Sequence, residues 1–198
     1  MEEAYLIYIL YFLVFLRITV NCFHGRLSFQ WYSLGKEYLD SFIAAGVVAI
    51  LLITFVARSF YIPSQSMVPT LLVKDYLLVD RFSYNFAKPS RGEVIVFRPP
   101  ENVSKNFFIK RVVAVEHDIV EVSEGNLYIN GLKVDDPHKK EPIESDFPAY
   151  RVPEGCIFVM GDNRNNSDDS RYWGPLPLEN VVGKAFVIFW PISRWGLL

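Results

Sequence analysis

Residues that build disulfides and metal centres are scarce in this chain. Its 198 residues include two cysteines and three histidines. Cys22 and Cys156 lie far apart, so a disulfide framework is not expected, and no Cys-x-x-Cys spacing suggests zinc. The histidines are scattered, and no two of them are spaced as His-x-x-x-His. The sequence therefore predicts neither a metal site nor a cofactor.

An excess of positive charge is also missing. Lysine and arginine total 20 against 22 aspartate and glutamate residues, a formal net charge of −2. No basic surface therefore argues for a nucleic-acid partner. Hydrophobic residues, by contrast, make up 51% of the chain, and their excess lies at the N-terminal end. This distribution is typical of a membrane anchor followed by one ordinary domain.

Two stretches that are almost free of charge predict membrane-spanning helices. Residues 41–57 are 17 uncharged residues, at the short end of what a helix needs to cross hydrocarbon. The alternative is a buried core helix, although such helices are seldom apolar on every face. Residues 4–23 are the second candidate, in which Arg17 lies near the end and can reach toward an interface. Acidic Glu2 and Glu3 and the lack of a small-x-small site argue against a cleavable signal peptide.

The charges around these stretches indicate their orientation. The connection between them carries Arg26 and Lys36, whereas the N-terminal tail carries only acids. Because positively charged loops tend to stay in the cytoplasm, residues 58–198 are expected on the other side of the membrane. We therefore predict a membrane anchor at residues 1–57 and an extracytoplasmic domain at residues 58–198.

The second part of the chain has the pattern of a β domain. Short runs of Val, Ile, Phe and Tyr alternate with turn residues, and no long amphipathic helical pattern occurs. Seven strands are predicted: Tyr76–Asp80, Glu93–Arg98, Phe107–Glu116, Ile119–Val122, Leu127–Ile129, Cys156–Met160 and Val182–Phe189. Asn130-Gly131 predicts a hairpin turn, and residues 135–153, with four prolines, predict a loop or small insertion. We expect a mostly β domain, as a curved sheet or partly closed barrel.

Two serines lie on a conformationally restricted segment. Pro63 and Pro69 bracket Ser64 and Ser66, and each proline fixes its own φ and restricts the residue before it. The alternative is an ordinary serine-rich loop. A nucleophilic serine needs a base, but the chain has no Gly-x-Ser-x-Gly elbow and no histidine in a recognisable triad context. A buried lysine is the other known kind of base.

Lys110 lies within a predicted strand. Alternation on this strand places Lys110 on one face with Phe108 and Val112, and Arg111 on the other face. Either both faces are covered, or one cation reaches an edge. Apolar surroundings would lower the pKa of Lys110. The alternative is a surface lysine whose aliphatic stem packs on the sheet.

A polar segment, Gly161–Gly174, follows the strand Cys156–Met160. Four of its side chains could offer oxygen ligands to calcium: Asp162, Asn166, Asp168 and Asp169. The segment lacks the EF-hand order of ligands, glycine and terminal glutamate. Arg164 and Arg171 lie among these acids and favour an internal network of salt bridges.

Four motifs together resemble the type I signal peptidases, the bacterial leader peptidases with relatives in mitochondria and chloroplasts. They are Ser64–Leu71, Arg91–Phe97, Lys110–Val113 and Gly161–Gly174, and the resemblance covers most of residues 58–190. It implies a Ser/Lys dyad in a β-rich catalytic domain, with Ser66 as nucleophile and Lys110 as general base. Ser64 matches a residue whose hydroxyl joins the Ser66 backbone N–H in the oxyanion hole.

The resemblance also implies roles for residues around the dyad. Four of them support it: Ser167, which orients the lysine, the ion pair of Asp169 and Arg171, and Asp162, which steadies the site. Two more, Ile62 and Ile109, match positions that line shallow pockets for the Ala-x-Ala sequence before the cut. No metal is part of this set.

The sequence departs from the family pattern at two places that bear on the site. Gln65 stands where a glycine is common between the two serines. Residues 114–118 replace the usual Gly-x-Pro-Gly-Asp after the lysine strand, so this turn must be built differently. His117 tolerates a left-handed conformation better than most other non-glycine residues.

The expected protein is a serine endopeptidase that removes signal peptides from exported preproteins through an acyl-enzyme on Ser66. Its expected location is the cytoplasmic (inner) membrane of a bacterium, with preprotein signal peptides and the lipid bilayer as partners. One alternative is a related membrane Ser/Lys protease with a single dedicated substrate. The other is a non-enzymatic, calcium-binding membrane module.

Overall fold

The structure is a computed structural model that describes residues 2–22, 29–51, 57–138 and 141–198. The chain divides into two compact units, Met1–Val56 and Ala57–Leu198. The first consists of two helices, and the second contains both sheets and all of the predicted site residues.

The first unit is a helical pair, α1 (Glu2–Cys22) and α2 (Phe29–Leu51). Arg17 Nε lies 2.5 Å from Asp40 Oδ1 and links the two helices. Within the described residues, no helix combines the length and the apolar character needed to cross a membrane. Neither predicted span is therefore confirmed. Residues 23 and 52–56 of these spans, and Arg26 of the orientation argument, lie outside the described residues.

The second unit consists mainly of short strands. They are β1 Ala57–Tyr61, β2 Tyr76–Asp80, β3 Val94–Phe97, β4 Phe108–Ala114, β5 Ile119–Ser123, β6 Asn126–Ile129, β7 Leu132–Lys133, β8 Phe147–Arg151, β9 Cys156–Met160, β10 Leu176–Pro177, β11 Val181–Trp190 and β12 Gly196–Leu197. One short helix, α3 (Ser170–Trp173), and 3-10 turns at Ser83–Asn85, Leu178–Asn180 and Ile192–Arg194 complete the described elements.

The strands form two antiparallel sheets. The larger has the order β1-β2-β11-β3-β4-β9-β10, with β12 paired to β11, and the smaller has the order β7-β6-β5-β8. The register of β11 shifts against both β2 and β3, and that of β4 shifts against β9. Such irregularities bend a strand and increase its twist. The expected mostly β fold with a curved sheet is confirmed.

All seven predicted strands are present, with ends that differ by two residues or fewer. The hairpin at Asn130-Gly131 is also confirmed, since the two residues have φ of 54° and 77° between β6 and β7. The predicted loop at residues 135–153 needs correction, because β8 lies inside it and pairs with β5. Pro148 hid this strand, although a proline is tolerated on the edge strand that β8 is.

Candidate active site

Ser66 lies in the connection between β1 and β2, on a loop fixed by the core. Met67 and Leu71 of this loop are fully buried and pack against Leu77 and Val79 of β2. The loop closes with a hydrogen bond from the Ile62 N–H to the Asp75 carbonyl at 2.9 Å. The buried side chains and this hydrogen bond therefore fix the position of the loop that carries Ser66.

Lys110 extends from β4, which is covered on both faces. Lys110 is 5% exposed and Arg111 on the opposite face is 6% exposed, so neither cation reaches an edge. The Lys110 Nζ donates a hydrogen bond of 2.7 Å to the Ser66 Oγ. The alternative of a surface lysine is therefore wrong, and the two dyad residues are in contact.

Burial sets the protonation behaviour of Lys110. Removal from water lowers the pKa of Lys110 to about 8, because an ammonium loses more solvation than a neutral amine. The negative charges of Asp169, Asp168 and Asp162 act in the opposite direction and limit the decrease. About a tenth of the lysine is therefore neutral at pH 7 and can accept a proton.

Ser64 lies next to Ser66. Its hydroxyl oxygen is 3.3 Å from the Ser66 Oγ, and either of the two can be the donor. Ser64 and Gln65 are both exposed, so the site is open on this side. This exposure accommodates the glutamine at a position where the family commonly has glycine.

Ser167 is close to Ser66 but does not make its predicted contact. Its Oγ is buried and has no hydrogen-bond partner among the described residues, so the bond expected to Lys110 is absent from this structure. A Cβ placed on Gly161 would lie 2.3 Å from the Ser167 Oγ and 2.4 Å from the Ser66 carbonyl oxygen. Position 161 therefore requires glycine, and the segment after β9 packs directly against the Ser66 backbone.

Asp162 joins the nucleophile loop to the lysine strand. Arg111 donates to both of its carboxylate oxygens, at 2.8 and 2.7 Å, and the Thr70 hydroxyl donates to Oδ2 at 2.5 Å. Asp162 is fully buried and its charge is balanced by this arginine. The sequence did not predict roles for Arg111 and Thr70. The one feature of the sequence that could have indicated a role for Arg111 is that it is a second cation in an otherwise apolar strand.

Asp169 and Arg171 form a bidentate ion pair. Arg171 Nε and Nη2 donate to the two Asp169 oxygens at 2.8 and 2.9 Å, and both side chains are buried. Asp169 also accepts a hydrogen bond from the Gly161 N–H at 3.0 Å and caps α3. This pair therefore fixes the segment that packs against Ser66.

A further buried ion pair was not predicted. Arg164 Nη2 lies 2.6 Å from Asp136 Oδ2, and Arg164 Nε donates to the Gly161 carbonyl at 2.8 Å. Within the described part of the chain, no group of three His, Cys, Asp or Glu side chains is placed to hold a metal ion. Asp162, Asp169 and the two arginines of the Gly161–Gly174 segment instead form buried ion pairs, as their interspersion favoured.

A cleft of about 570 Å³ leads to the dyad. Its apolar wall includes Ile62 and Ile109, both buried, as well as Phe60 and Phe107, whose ring centroids are 5.5 Å apart. Its polar lining comprises Ser64, Gln65, Ser66, Ser104, Asn106, Lys110, Asn166 and Asp168. The cleft can therefore receive an extended peptide with small apolar side chains.

The unusual turn after β4 uses a left-handed residue. His117 has φ of 71°. Asp118 then accepts a hydrogen bond from the Val115 N–H at 2.8 Å and another from Asn130 Nδ2 at 3.0 Å, and it pairs with Arg91. The turn thus does without glycine and proline because a histidine adopts the conformation and an aspartate closes the loop.

Comparison with known proteins gives a consistent result. The family described as "Signal peptidase, peptidase S26" matches residues 35–190. Two Synechocystis sp. proteins named probable signal peptidase I are similar. The first is 45% identical over 172 residues, covering 85% of this chain and 77% of that protein. The second is 47% identical over 169 residues, covering 82% of this chain and 86% of that protein. Thylakoidal processing peptidase 1 of Arabidopsis thaliana is 38% identical over 171 residues, covering 82% of this chain and 50% of that protein.

Proposed function

This chain belongs to the signal peptidase family, peptidase S26, and from that premise we propose that it cleaves signal peptides through an acyl-enzyme on Ser66, with Lys110 as general base. Members of this family are serine endopeptidases, and signal peptide removal is the activity of this chain. The observation that carries the residue assignment is the 2.7 Å hydrogen bond between Lys110 Nζ and Ser66 Oγ in a buried setting.

The first step is proton transfer with attack. Neutral Lys110 accepts the Ser66 hydroxyl proton as the Oγ attacks the scissile carbonyl carbon, which gives a tetrahedral oxyanion and an ammonium. The lowered pKa of Lys110 keeps part of the enzyme ready for this step at neutral pH. A lysine of ordinary pKa in the same position would be almost fully protonated and unable to act as base.

The oxyanion is stabilised best by hydrogen-bond donors that already point toward its position before the reaction begins. The Ser66 backbone N–H and the Ser64 hydroxyl are the proposed pair, and the position of Ser64, 3.3 Å from the Ser66 Oγ, supports this role. One such donor contributes about 3–4 kcal/mol to the transition state in well-studied proteases.

The second half of the reaction returns the proton. The Lys110 ammonium donates to the departing amine as the peptide C–N bond breaks, which leaves the signal peptide as an ester on Ser66. Neutral Lys110 then activates a water molecule that attacks the ester carbonyl, and Ser66 is released with its proton restored. Every proton taken by Lys110 is given back within one cycle.

The apolar wall of the cleft supports a preference for small residues before the cut. Ile62 lies four residues before Ser66 and Ile109 directly before Lys110. Both line the cleft, and they are 3% and 9% exposed. We propose that they border shallow pockets for the alanines of Ala-x-Ala. Larger side chains would have to displace buried isoleucines, which costs about 1–3 kcal/mol in a packed core.

Four further residues are proposed to position the dyad. Asp162 connects the loop of Ser66 to β4 through Thr70 and Arg111, and the Asp169–Arg171 pair fixes the segment against Ser66. Ser167, whose buried Oγ has no partner among the described residues, offers a free acceptor that can orient the Lys110 ammonium once Lys110 has taken up the Ser66 proton.

For the location we propose the cytoplasmic membrane of a bacterium, with residues 58–198 on the extracytoplasmic side. The uncharged stretch at residues 41–57 and the predominantly apolar stretch at residues 4–23 support anchoring in a lipid bilayer. Preproteins would reach the site from the same membrane. A panel of unrelated preproteins separates this general role from that of an enzyme with one dedicated substrate.

The residue assignment is tested with three variants of the detergent-solubilised full chain. Ser66→Ala and Lys110→Met are expected to abolish cleavage of a preprotein whose signal peptide ends in Ala-x-Ala, each by at least about a thousandfold. Lys133→Met, at an exposed lysine of β7, is the matched control and keeps full activity. Circular dichroism verifies the fold of each variant. Retained activity in Lys110→Met would refute the mechanism.

A further inference from the structure

The Gly161–Gly174 segment carries three carboxylates, and two of them are neutralised within the protein. Asp162 pairs with Arg111 at 2.7 Å, and Asp169 pairs with Arg171 at 2.8 Å. Asp168 differs from both. It is exposed, and it has no hydrogen bond or ion pair within the described part of the chain. Its negative charge is therefore available to a ligand.

Asp168 lines the cleft that leads to the dyad. Among the described residues that line this cleft, Asp168 is the one carboxylate and Lys110 the one cation. The proposed first step requires Lys110 to be neutral, and in that state the cleft lining carries a single negative charge. Three neighbouring cations do not themselves line the cleft. Lys105 lies between two lining residues in sequence, and Arg58 and Arg98 lie over the lining rings of Phe60 and Phe107.

We propose that Asp168 is a specificity-determining residue, which favours preproteins with a lysine or arginine close to the cleavage site and disfavours those with an acidic residue there. The inference rests on the proposed function of the cleft as the substrate site. The carboxylate attracts a cationic side chain that enters the cleft and repels an anionic one. Because Asp168 is exposed to water, the effect is modest and sensitive to salt.

A second effect of the same charge provides an independent readout. The negative charge of Asp168 favours the ammonium form of Lys110 and so raises the pKa of Lys110 against the effect of burial. Replacement of the carboxylate by an amide removes this contribution. The rise of activity with pH is therefore expected at lower pH in Asp168→Asn than in the wild type.

The test uses the full chain in detergent and a series of peptides around one Ala-x-Ala site. Lysine, glutamine or glutamate is placed singly at each of the three positions on either side of the cut, except at the two alanines. The quantity compared is the ratio of kcat/KM for the lysine and glutamate peptides at each position, which cancels any general change in activity. The enzymes are the wild type, Asp168→Asn, and the control Glu154→Gln at an exposed carboxylate outside the cleft.

The wild type and Glu154→Gln are expected to prefer lysine over glutamate by about three- to tenfold at one or more positions at low salt. The ratio falls toward one in Asp168→Asn, and it also falls when salt is added to the wild type. Provided that the glutamine peptide is cleaved, either of two results would overturn the inference. One is equal kcat/KM for the lysine and glutamate peptides in the wild type, and the other is a ratio that does not change in Asp168→Asn. Failure to cleave the glutamine peptide would overturn the proposed function itself.

Discussion

At the scale of single residues, the proposed chemistry depends on how far burial lowers the pKa of Lys110. The side chain is almost fully removed from water, and its one described hydrogen bond is to the Ser66 Oγ. The nearby carboxylates are largely committed to arginines, so they offset only part of the cost of holding an ammonium there. The burial that suits Lys110 to its proposed role as a base therefore also makes its protonated form a liability for stability.

This liability predicts that Lys110→Met gains stability relative to the wild type below pH 8. The folded-state pKa of about 8 lies below the ordinary value of 10.5. Below pH 8 Lys110 is protonated in both the folded and the unfolded protein. Burial of its ammonium then lowers the free energy of unfolding by the full amount, about 3 kcal/mol for such a pKa shift. As the pH rises from 8 toward 10.5 the cost disappears. Denaturant unfolding of both proteins measures the difference in their free energies of unfolding, which should be smaller at pH 10 than at pH 7. A difference that stays constant would count against burial as the cause.

The dyad and the Asp169–Arg171 ion pair beside it could be predicted from the sequence, but the contacts that link more distant segments could not. The serine and lysine motifs are local patterns, and so each could be found and then matched to a family. The contacts of Asp162 with Arg111 and of Arg164 with Asp136 join residues that lie 51 and 28 positions apart. Such pairs depend on the register of strands and loops, which no local pattern specifies.

At the scale of elements, the site is assembled where the β1–β2 connection, strand β4 and the segment after β9 meet. A fourth element is attached to them from the C-terminus. Arg194, in the 3-10 turn Ile192–Arg194, donates to Asp75 at 2.9 Å and to the Thr70 carbonyl at 3.0 Å. Asp75 is 1% exposed and also accepts the Leu72 N–H. The turn thus holds the far end of the loop that carries Ser66.

Arg194→Ala is therefore expected to lower both stability and turnover. Removal of the guanidinium leaves a buried carboxylate without its ion pair, which costs about 3 kcal/mol or more. The loosened Ser66 loop should lower kcat more than it changes KM, because the affected contact positions the nucleophile and not the substrate. Arg151→Ala, at an exposed position of β8, serves as the control. Thermal unfolding and steady-state kinetics check the prediction, and unchanged kcat in a destabilised variant would exclude a positioning role.

The elements were predictable to different degrees. The seven predicted strands have alternating or continuous apolar runs between turn residues, and those patterns were sufficient. Strand β8 contains Pro148 and mostly exposed side chains, so its sequence did not differ from that of a loop. Strand β1 directly follows the apolar stretch at residues 41–57, and its pairing with β2 depends on the fold of the intervening Ser66 loop.

At the scale of the whole molecule, the two units serve different parts of the proposed function. The second holds Ser66, Lys110, the cleft and the ion pairs around them. The proposed contribution of residues 1–56 is to bring that site to membrane-inserted substrates. This division follows from where the apolar and the chemically active residues lie along the chain.

Membrane anchoring is tested by expression of the full chain in a bacterium. The protein is expected to stay with the membrane pellet after alkaline carbonate extraction. Its second unit should be digested by protease added to spheroplasts, because the proposed orientation exposes it outside the cytoplasm. A cytoplasmic protein of similar size, intact under the same conditions, is the control. Extraction by carbonate would refute anchoring, and full protection in intact spheroplasts would refute the orientation.

The most direct test of Lys110 as a neutral general base is the pH dependence of kcat/KM for one uncharged Ala-x-Ala peptide. The group that must lose its proton has a pKa of about 8. The rate constant is therefore expected to rise about tenfold per pH unit well below that value and to level off above it. Lys110→Met should show no such rise at any pH. A wild-type profile that is already flat between pH 6 and 9, or a residual activity of Lys110→Met with the same pH dependence, would contradict the assignment of Lys110 as the base for Ser66.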